Sequence, residues 1–427
     1  MARAKKETAL TPEERLQAAL VPDWEWPYKL PENWCWTYFK SISTIQTGKK
    51  DANYGSDEGK YPFFTCAAES IRCHGYSFDC RAILLAGNGD INNISRYNGK
   101  FEAYQRTYVV KIAEPLCFDY IFYWFKYRWF DFNKGKMFGT AIPYIRLGNL
   151  QEFPTPIPPL AEQQRIVDRI ESLFAKLDEA KEKAQAVVDS FETRKAAILH
   201  KAFTGELTAK WREEHGVSID NWKTTRFDSV AAIRSNLVDP AEYQSFPHIA
   251  PDNIEKKTGV LLEYHTIAED GVTSGKHRFY SGQILYSKIR PYLSKAVVVD
   301  FDWLCSADMY PIEAYQNARC LWYYMLSDEF LLQASTAGSR SVLPKINQKE
   351  LSALTVHLPT NDREQEEIAR ILDELFDKEQ QTKEAAEIVL DQIDLMKKSI
   401  LARAFRGELG TNDPSEESAV ELLKRVL

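Results

Sequence analysis

The chain has no apolar run of about 20 residues, the length a helix needs to cross a bilayer. Its most hydrophobic stretch, Phe118 to Phe130, is aromatic and short and is broken by Lys126 and Arg128. The N-terminus, Met1 to Leu20, is charged and lacks the apolar centre of a signal peptide. These absences argue against a secreted or helical membrane protein and lead us to expect a cytoplasmic one. Cysteine is scarce, seven in 427 residues, and the odd number suits a reducing compartment rather than a disulfide scaffold. Cys66, Cys73 and Cys80 recur at even spacing with His74 beside them, yet zinc sites prefer tighter CxxC pairs, so free thiols are expected.

Catalytic signatures are missing too. Gly87-Asn-Gly89 has no third glycine at dinucleotide spacing, and Thr47-Gly-Lys-Lys50 lacks the leading glycine and the Ser/Thr of a phosphate loop. Pro251-Asp252 with Glu255-Lys256-Lys257 superficially looks like a nuclease core, but the acids sit too close in sequence to come from two neighbouring strands. No HExxH, GxSxG or Asn-Pro-Pro-aromatic tetrapeptide occurs. The expectation is a chain that performs no chemistry itself.

What is present is an internal repeat. Glu162 to Leu207 reads EQQRIVDRIESLFAKLDEA and closes on AAILHKAFTGEL; Glu364 to Leu409 reads EQEEIARILDELFDKEQQT and closes on KSILARAFRGEL. Upstream, Ala141-Ile-Pro-Tyr-Ile145 corresponds to Val342-Leu-Pro-Lys-Ile346, and Glu32-Asn33-Trp34 is echoed by Asp220-Asn221-Trp222. The plan is globule, helix, globule, helix, with a period of about 200 residues.

Within the first repeat Ile166, Ile170, Leu173, Leu177, Ala180, Ala184, Val187 and Phe191 alternate at spacings of four and three, a heptad seam. The second copy keeps it with Ile368, Leu372, Leu375, Ala386, Val389, Ile393, Met396 and Ile400, broken only at Glu379 and Thr382. No Gly or Pro lies between Glu162 and Phe203, so about 40 residues can be helical, roughly 60 Å of rod. Gly205 and Gly407 stand where C-terminal caps belong. The predicted fold is α+β: two α/β globules joined by two long helices that pair as an antiparallel coiled coil. Tyr120 to Phe125 and Leu321 to Met325 are expected as matching buried helices.

The net charge of -7 speaks at first against nucleic acid. Partitioning reverses that. Glu32 to Ile157 carries 15 Lys+Arg against 12 Asp+Glu, Asp220 to Leu358 carries 14 against 16, and Asp362 to Leu427 carries 10 against 17. The acid therefore belongs to the last helix and tail, where solvent and protein partners are expected. The globules are near neutral with basic loops, and those loops suit phosphates and base edges. The candidates in the first globule are Thr47, Lys49, Lys50, Asn88, Asn92, Asn93, Gln105, Arg106, Lys134 and Lys136. In the second they are Lys276, Arg278, Ser287, Lys288, Arg290, Tyr292, Lys295, Ser339, Arg340 and Ser341.

Pro158-Pro-Leu-Ala-Glu-Gln-Gln-Arg165, Ala202-Phe-Thr-Gly-Glu-Leu207 with its twin Ala404-Phe-Arg-Gly-Glu-Leu409, and Gly282-Gln-Ile-Leu-Tyr-Ser-Lys-Ile-Arg290 carry a resemblance. From Leu30 to Leu409 the chain resembles the DNA-specificity subunit of type I restriction-modification systems. The resemblance implies a first target-recognition domain (30–158), a central helix (159–210), a second recognition domain (211–359) and a C-terminal helix (360–409); an N-terminal extension (1–29) and an acidic tail (410–427) lie outside it. It implies double-stranded DNA with a bipartite asymmetric site as ligand, with the helical rod setting the gap between half-sites. It also implies two methyltransferase subunits and restriction subunits as partners. S-adenosylmethionine for adenine methylation, and ATP with magnesium for cleavage, are expected in those partners and not in this chain. The alternative left open is a coiled-coil adaptor that reads no DNA sequence.

Overall fold

The computed structural model describes residues 10–337 and 344–427, so Ser339, Arg340 and Ser341 lie outside the described residues. The chain divides into two compact units, one made of residues up to Lys183 together with Val389–Leu427, the other of Ala184–Ile388.

The first unit centres on a six-stranded sheet. Its order is Ser43–Thr47, Thr107–Ile112, Phe78–Ala86, Ile94–Ala103, Tyr61–Phe64, Ile71–Cys73. Pairing is antiparallel except where Tyr61–Phe64 runs parallel to Ile94–Ala103. Alternation explains the sheet: Ile83 and Leu85 enter the larger core while Ala82 and Leu84 enter a smaller one on the other face. The expected aromatic helix spans Phe118–Asn133 and buries Tyr120, Trp124, Phe125 and Trp129 completely.

The second unit repeats the plan with shorter strands. A four-stranded sheet (Ala231–Ile233, Met309–Ala314, Ile284–Ser287, Ala296–Val298) is joined by a five-stranded one (Leu237–Val238, Lys276–Phe279, Trp303–Cys305, Pro247–Ile249, His265–Thr266). The matching aromatic helix is Ala318–Met325.

The Glu-Gln pair that opens each long helix does the same work in both units. Gln163 donates to Pro158 O (3.0 Å) and accepts from the backbone N–H of Cys117 (2.8 Å), which caps the aromatic helix. Gln365 donates to Pro359 O (2.7 Å) and accepts from Asn317 N–H (3.3 Å), the cap of the second aromatic helix. Glu162 is fully buried and accepts from the Trp34 indole at 2.8 Å; Glu364 is fully buried and accepts from the Trp222 indole at 3.0 Å. The Asn-Trp echo thus marks the partner of a buried carboxylate.

Each globule is clasped by the start of one long helix and the end of the other. Ile166 and Ile170 share the first core with Leu401, Ala404 and Phe405, and the Phe405 ring lies 5.0 Å from Trp124. Ile368 and Leu372 share the second core with Leu199, Ala202 and Phe203, whose ring lies 5.0 Å from Tyr324. Antiparallel pairing of the helices is visible inside each unit. In the first, Asp178 pairs with Lys397 and Lys181 with Asp394 (3.4 Å). In the second, Arg194 pairs with Glu379 (2.7 Å) and Lys383 lies 5.0 Å over the Phe191 ring. Glu379, a break in the apolar seam, is thereby an ion-pair position.

Two expectations for the helices need correction. The first is not one rod: it spans Leu160–Asp189 and Phe191–Phe203, interrupted at Ser190. The Ser190 hydroxyl donates back to Ala186 O at 2.6 Å and so shares that acceptor with the Ser190 N–H (3.1 Å). The second helix, Asp362–Ala404, is continuous. In the seam, Ile166, Ile170, Ile368, Leu372 and Ile393 are buried, and Leu173, Leu177, Val187 and Leu375 are half-buried. Val389 and Met396, however, are 39% and 49% exposed. A straight helix drifts off a strict seven-residue repeat, and the inward position passes to Leu390.

The C-terminal segment is not a solvated acidic tail. Ala419–Val426 forms a helix whose Ala419, Leu422 and Leu423 are buried in the first core. Arg165 fixes the preceding loop through Glu416 (2.8 Å) and Thr411 O (3.0 and 3.1 Å). Arg15, on the N-terminal helix Pro12–Ala19, donates to Leu427 O at 2.8 Å.

Candidate nucleic-acid interface

In the first unit, strands Phe78–Ala86 and Thr107–Ile112 end together at Gly87 and Arg106, where Gly87 N–H donates to Arg106 O (2.8 Å). A side chain at Gly87 would start 2.2 Å from that carbonyl oxygen, too close for a Cβ in the local geometry of this copy. The segment before the helix returns to the same place. Gly89 N–H donates to Pro143 O (2.8 Å) and Ile145 N–H to Gly87 O (2.9 Å). Thr47, Gln105, Arg106, Tyr108 and Ile145 line a cavity of about 340 Å³ there.

Four of the expected residues belong to this place. Thr47, Gln105 and Arg106 line the cavity, and Asn88 pairs with Tyr144 beside it. Lys50 adjoins them: its carbonyl accepts from Gln105 N–H (2.9 Å), and its ammonium lies 4.5 Å over the Tyr54 ring. Gln105 is held by Asp51 (2.8 Å), and Asn93 is spent on Cys66 O (2.9 Å). Lys49 and Asn92 are exposed. The Arg106 guanidinium is exposed and has no partner among the described residues. Lys134 and Lys136 precede Phe138, which pairs with Tyr144; the Lys136 ammonium sits 3.6 Å over Phe132. Arg146, stacked 3.9 Å over Phe138, is a cation that sequence reasoning missed. Its signal was the aromatic residues flanking the repeated Ile-Pro segment.

The second unit rebuilds this backbone with different side chains. Lys288 N–H donates to Asp308 O (3.0 Å), Arg290 N–H to Pro344 O (2.7 Å) and Ile346 N–H to Lys288 O (2.9 Å). Lys288 thus stands for Gly87, Arg290 for Gly89 and Asp308 for Arg106. The Asp308 carboxylate lies 3.2 Å from the Lys345 ammonium and 3.6 Å from that of Lys288. Arg290 and Tyr292 are exposed.

Three candidates in this unit are structural instead. Lys276 is 4% exposed and its ammonium donates to Ser274 O and Oγ, both at 2.8 Å; burial lowers its pKa. Ser287 is 2% exposed and donates to Ile289 O (3.0 Å). Lys295 donates to Pro251 O (2.7 Å) beneath Asp252. Lys276 and Ser287 occupy inward positions of short strands, where a polar side chain persists only if locally satisfied. Arg278 is half-buried on the five-stranded sheet, 5.2 Å over Tyr280. The cysteines are free thiols; Cys73 is buried and donates to Gly75 O.

Comparison with known proteins agrees with the duplicated plan. The family model for the type I restriction modification DNA specificity domain matches residues 31–188 and again 219–389. The chain is 39% identical over 428 residues to the type I restriction enzyme EcoDI specificity subunit of Escherichia coli, covering 93% of this chain and 95% of that one. Two solved structures share the fold. A structure from work on complex assembly and conformational transition of the type I R-M system has a TM-score of 0.65 at 19% identity, covering 90% of this chain and 100% of that one. The HsdS subunit from Thermoanaerobacter tengcongensis has a TM-score of 0.56 at 18% identity, with the same coverage. A repeat whose two copies match one specificity domain, with a relative this similar along almost its whole length, places the chain in the family of type I restriction-modification specificity subunits.

Proposed function

We propose that the chain reads a bipartite, asymmetric double-stranded DNA site, one half with each unit, and that it performs no catalysis itself. One observation carries this. The same three backbone hydrogen bonds frame a loop cluster in each unit, but the exposed chemistry differs: Asn88 and Arg106 in one, Arg290 and a Lys-Asp-Lys cluster in the other. One scaffold with two side-chain sets suits two unlike half-sites, since bases are told apart by donor and acceptor pattern. In this reading helix length sets the gap between half-sites. The first and second methyltransferase subunits dock along the helices and bring S-adenosylmethionine for adenine methylation; restriction subunits bring ATP and magnesium for cleavage. Val389, Leu395 and Met396, exposed on one helix at 39%, 63% and 49%, support a protein partner there, because large apolar side chains gathered within two turns are costly to leave in water.

Selection of random duplex DNA by the chain assembled with its methyltransferase subunits tests the reading. A split motif with a constant gap is expected; recovery of no motif leaves the adaptor. Within that assay, Arg106→Ala is expected to blur one position of the first half-site, at a cost of about 1–3 kcal/mol in discrimination if the contact is bidentate. The second half-site should be untouched.

A further inference from the structure

We propose that Arg290 is the residue through which the second unit specifies a guanine; this rests on the DNA-reading function proposed above. Arg290 has φ 48° and ψ 59°, a left-handed backbone conformation that a residue with a side chain rarely adopts. Its counterpart in the first unit shows what the position asks for. Gly89 takes φ 71° and makes the same hydrogen bond, to Pro143 O, that Arg290 makes to Pro344 O. No atom lies within 4 Å of where a Cβ at Gly89 would be, so the position has room for a side chain and only its backbone angle favours glycine. The second unit bears that strain and places a guanidinium there.

Nothing among the described residues uses this side chain. It is exposed and has no partner among the described residues, whereas the neighbouring lysines are engaged: Lys288 donates to Ala307 O (2.6 Å), and Lys345 lies 3.2 Å from Asp308. Strain held at an exposed side chain without a structural task is the pattern of a functional site. The loop on which it stands is closed by its own backbone hydrogen bonds. Pro291 follows directly, Leu293 N–H closes onto Arg290 O (2.9 Å), and Ser294 N–H closes onto Pro291 O (3.0 Å). The closed backbone fixes where the side chain leaves the loop. A phosphate contact needs no planar fork, since a lysine serves it; the two acceptors of guanine, O6 and N7, are matched bidentately by a guanidinium.

The test uses the chain assembled with its methyltransferase subunits, random duplex DNA, and the variants Arg290→Gly and Arg290→Lys. For Arg290→Gly the expected result is a raised thermal unfolding temperature, because the strain is relieved, together with loss of preference at a single G·C pair of the second half-site. That loss should be about 5- to 150-fold, with the first half-site and the gap unchanged. Arg290→Lys should not restore the preference. An unchanged motif in Arg290→Gly overturns the proposal. So does an even loss of affinity on all sequences that Arg290→Lys rescues, which marks a phosphate contact, and so does a lowered unfolding temperature, which marks a structural arginine. If the unaltered assembly selects no split motif, the DNA-reading function itself fails, and that outcome is separate from these.

Discussion

Glu364→Gln is expected to destabilise the second unit by about 3–5 kcal/mol, while Glu162→Gln at the matching position changes the first unit by about 1 kcal/mol or less. Both carboxylates are fully buried at a helix start and both accept from a tryptophan indole, but their charges are compensated differently. Glu364 Oε1 accepts from Arg212 (2.7 Å) and Thr208 (2.8 Å), and Oε2 from the Asn221 amide (2.9 Å). Glutamine there would turn an NH₂ group against the Asn221 NH₂ and leave the buried Arg212 without a counter-ion. Glu162 has no such arginine on its oxygens: Oε2 accepts from Trp34 (2.8 Å) and Asn412 (2.9 Å), and Oε1 from the Thr411 hydroxyl (3.3 Å). A glutamine can keep its oxygen toward Trp34 and Asn412 and donate its NH₂ to the hydroxyl, which accepts as well as donates.

The pH response separates the two as well. Burial works against the charged form of Glu364, but the hydrogen bonds from Asn221, Arg212, Thr208 and Trp222 outweigh it and hold its carboxyl below the usual range. Its contribution is therefore present above the unfolded-state pKa and is lost as pH falls through the lowered folded value. Burial pushes the Glu162 carboxyl up despite its three hydrogen-bond donors. The burial cost is absent below the unfolded-state pKa and grows as pH rises toward the folded value. Chemical denaturation of both variants and the parent, from pH 7 down to below the ordinary carboxylate range, checks this. Equal losses for the two substitutions would show that the arginine does not distinguish the sites.

Leu423→Ala is expected to cost the first unit about 2–5 kcal/mol, the usual penalty for emptying a fully buried leucine site. The effect is large because Ala419, Leu422 and Leu423 turn one face of the terminal helix into the same core as Trp34, Trp36 and Trp124. The backbone seals the joint: Ala419 N–H donates to Asn33 O (2.9 Å), and the Asn33 amide donates to Asp413 O (3.0 Å). Thermal unfolding followed by tryptophan fluorescence should shift down for Leu423→Ala and stay in place for Glu417→Ala, whose carboxylate forms an exposed pair with Arg425. An unshifted Leu423→Ala would mean that the segment is dispensable.

The repeat was legible because identical residues carry identical hydrogen bonds. Glu-Gln, Asn-Trp and Phe-x-Gly-Glu-Leu recur since each fills one position of a joint that is built twice. The aromatic helices were legible for a similar reason, as no exposed helix is composed like Phe118 to Phe130. The loops were harder. Lys276 and Arg278 stand two apart on one short strand and look alike in sequence, yet a neighbouring Ser274 makes burial of the first tolerable. Arg106 and Arg290 look like any surface arginine until the backbone frames around them are superposed as copies. The terminal helix was hidden by its charge, because counting Glu416, Glu417 and Glu421 conceals the apolar face of Ala419, Leu422 and Leu423.

The amino-acid sequence by itself determined the duplication, the two helical segments, the α+β class and the family, all of which are local periodicities or matches at one offset. The tertiary structure alone decided which end of each helix joins which globule, that the acidic segment closes a core, and which cations are free to meet a ligand. The physical reason is that burial and pairing are non-local: Glu162 meets Trp34 and Asn412, and Glu364 meets Arg212 and Trp222, across more than a hundred residues of chain in each case.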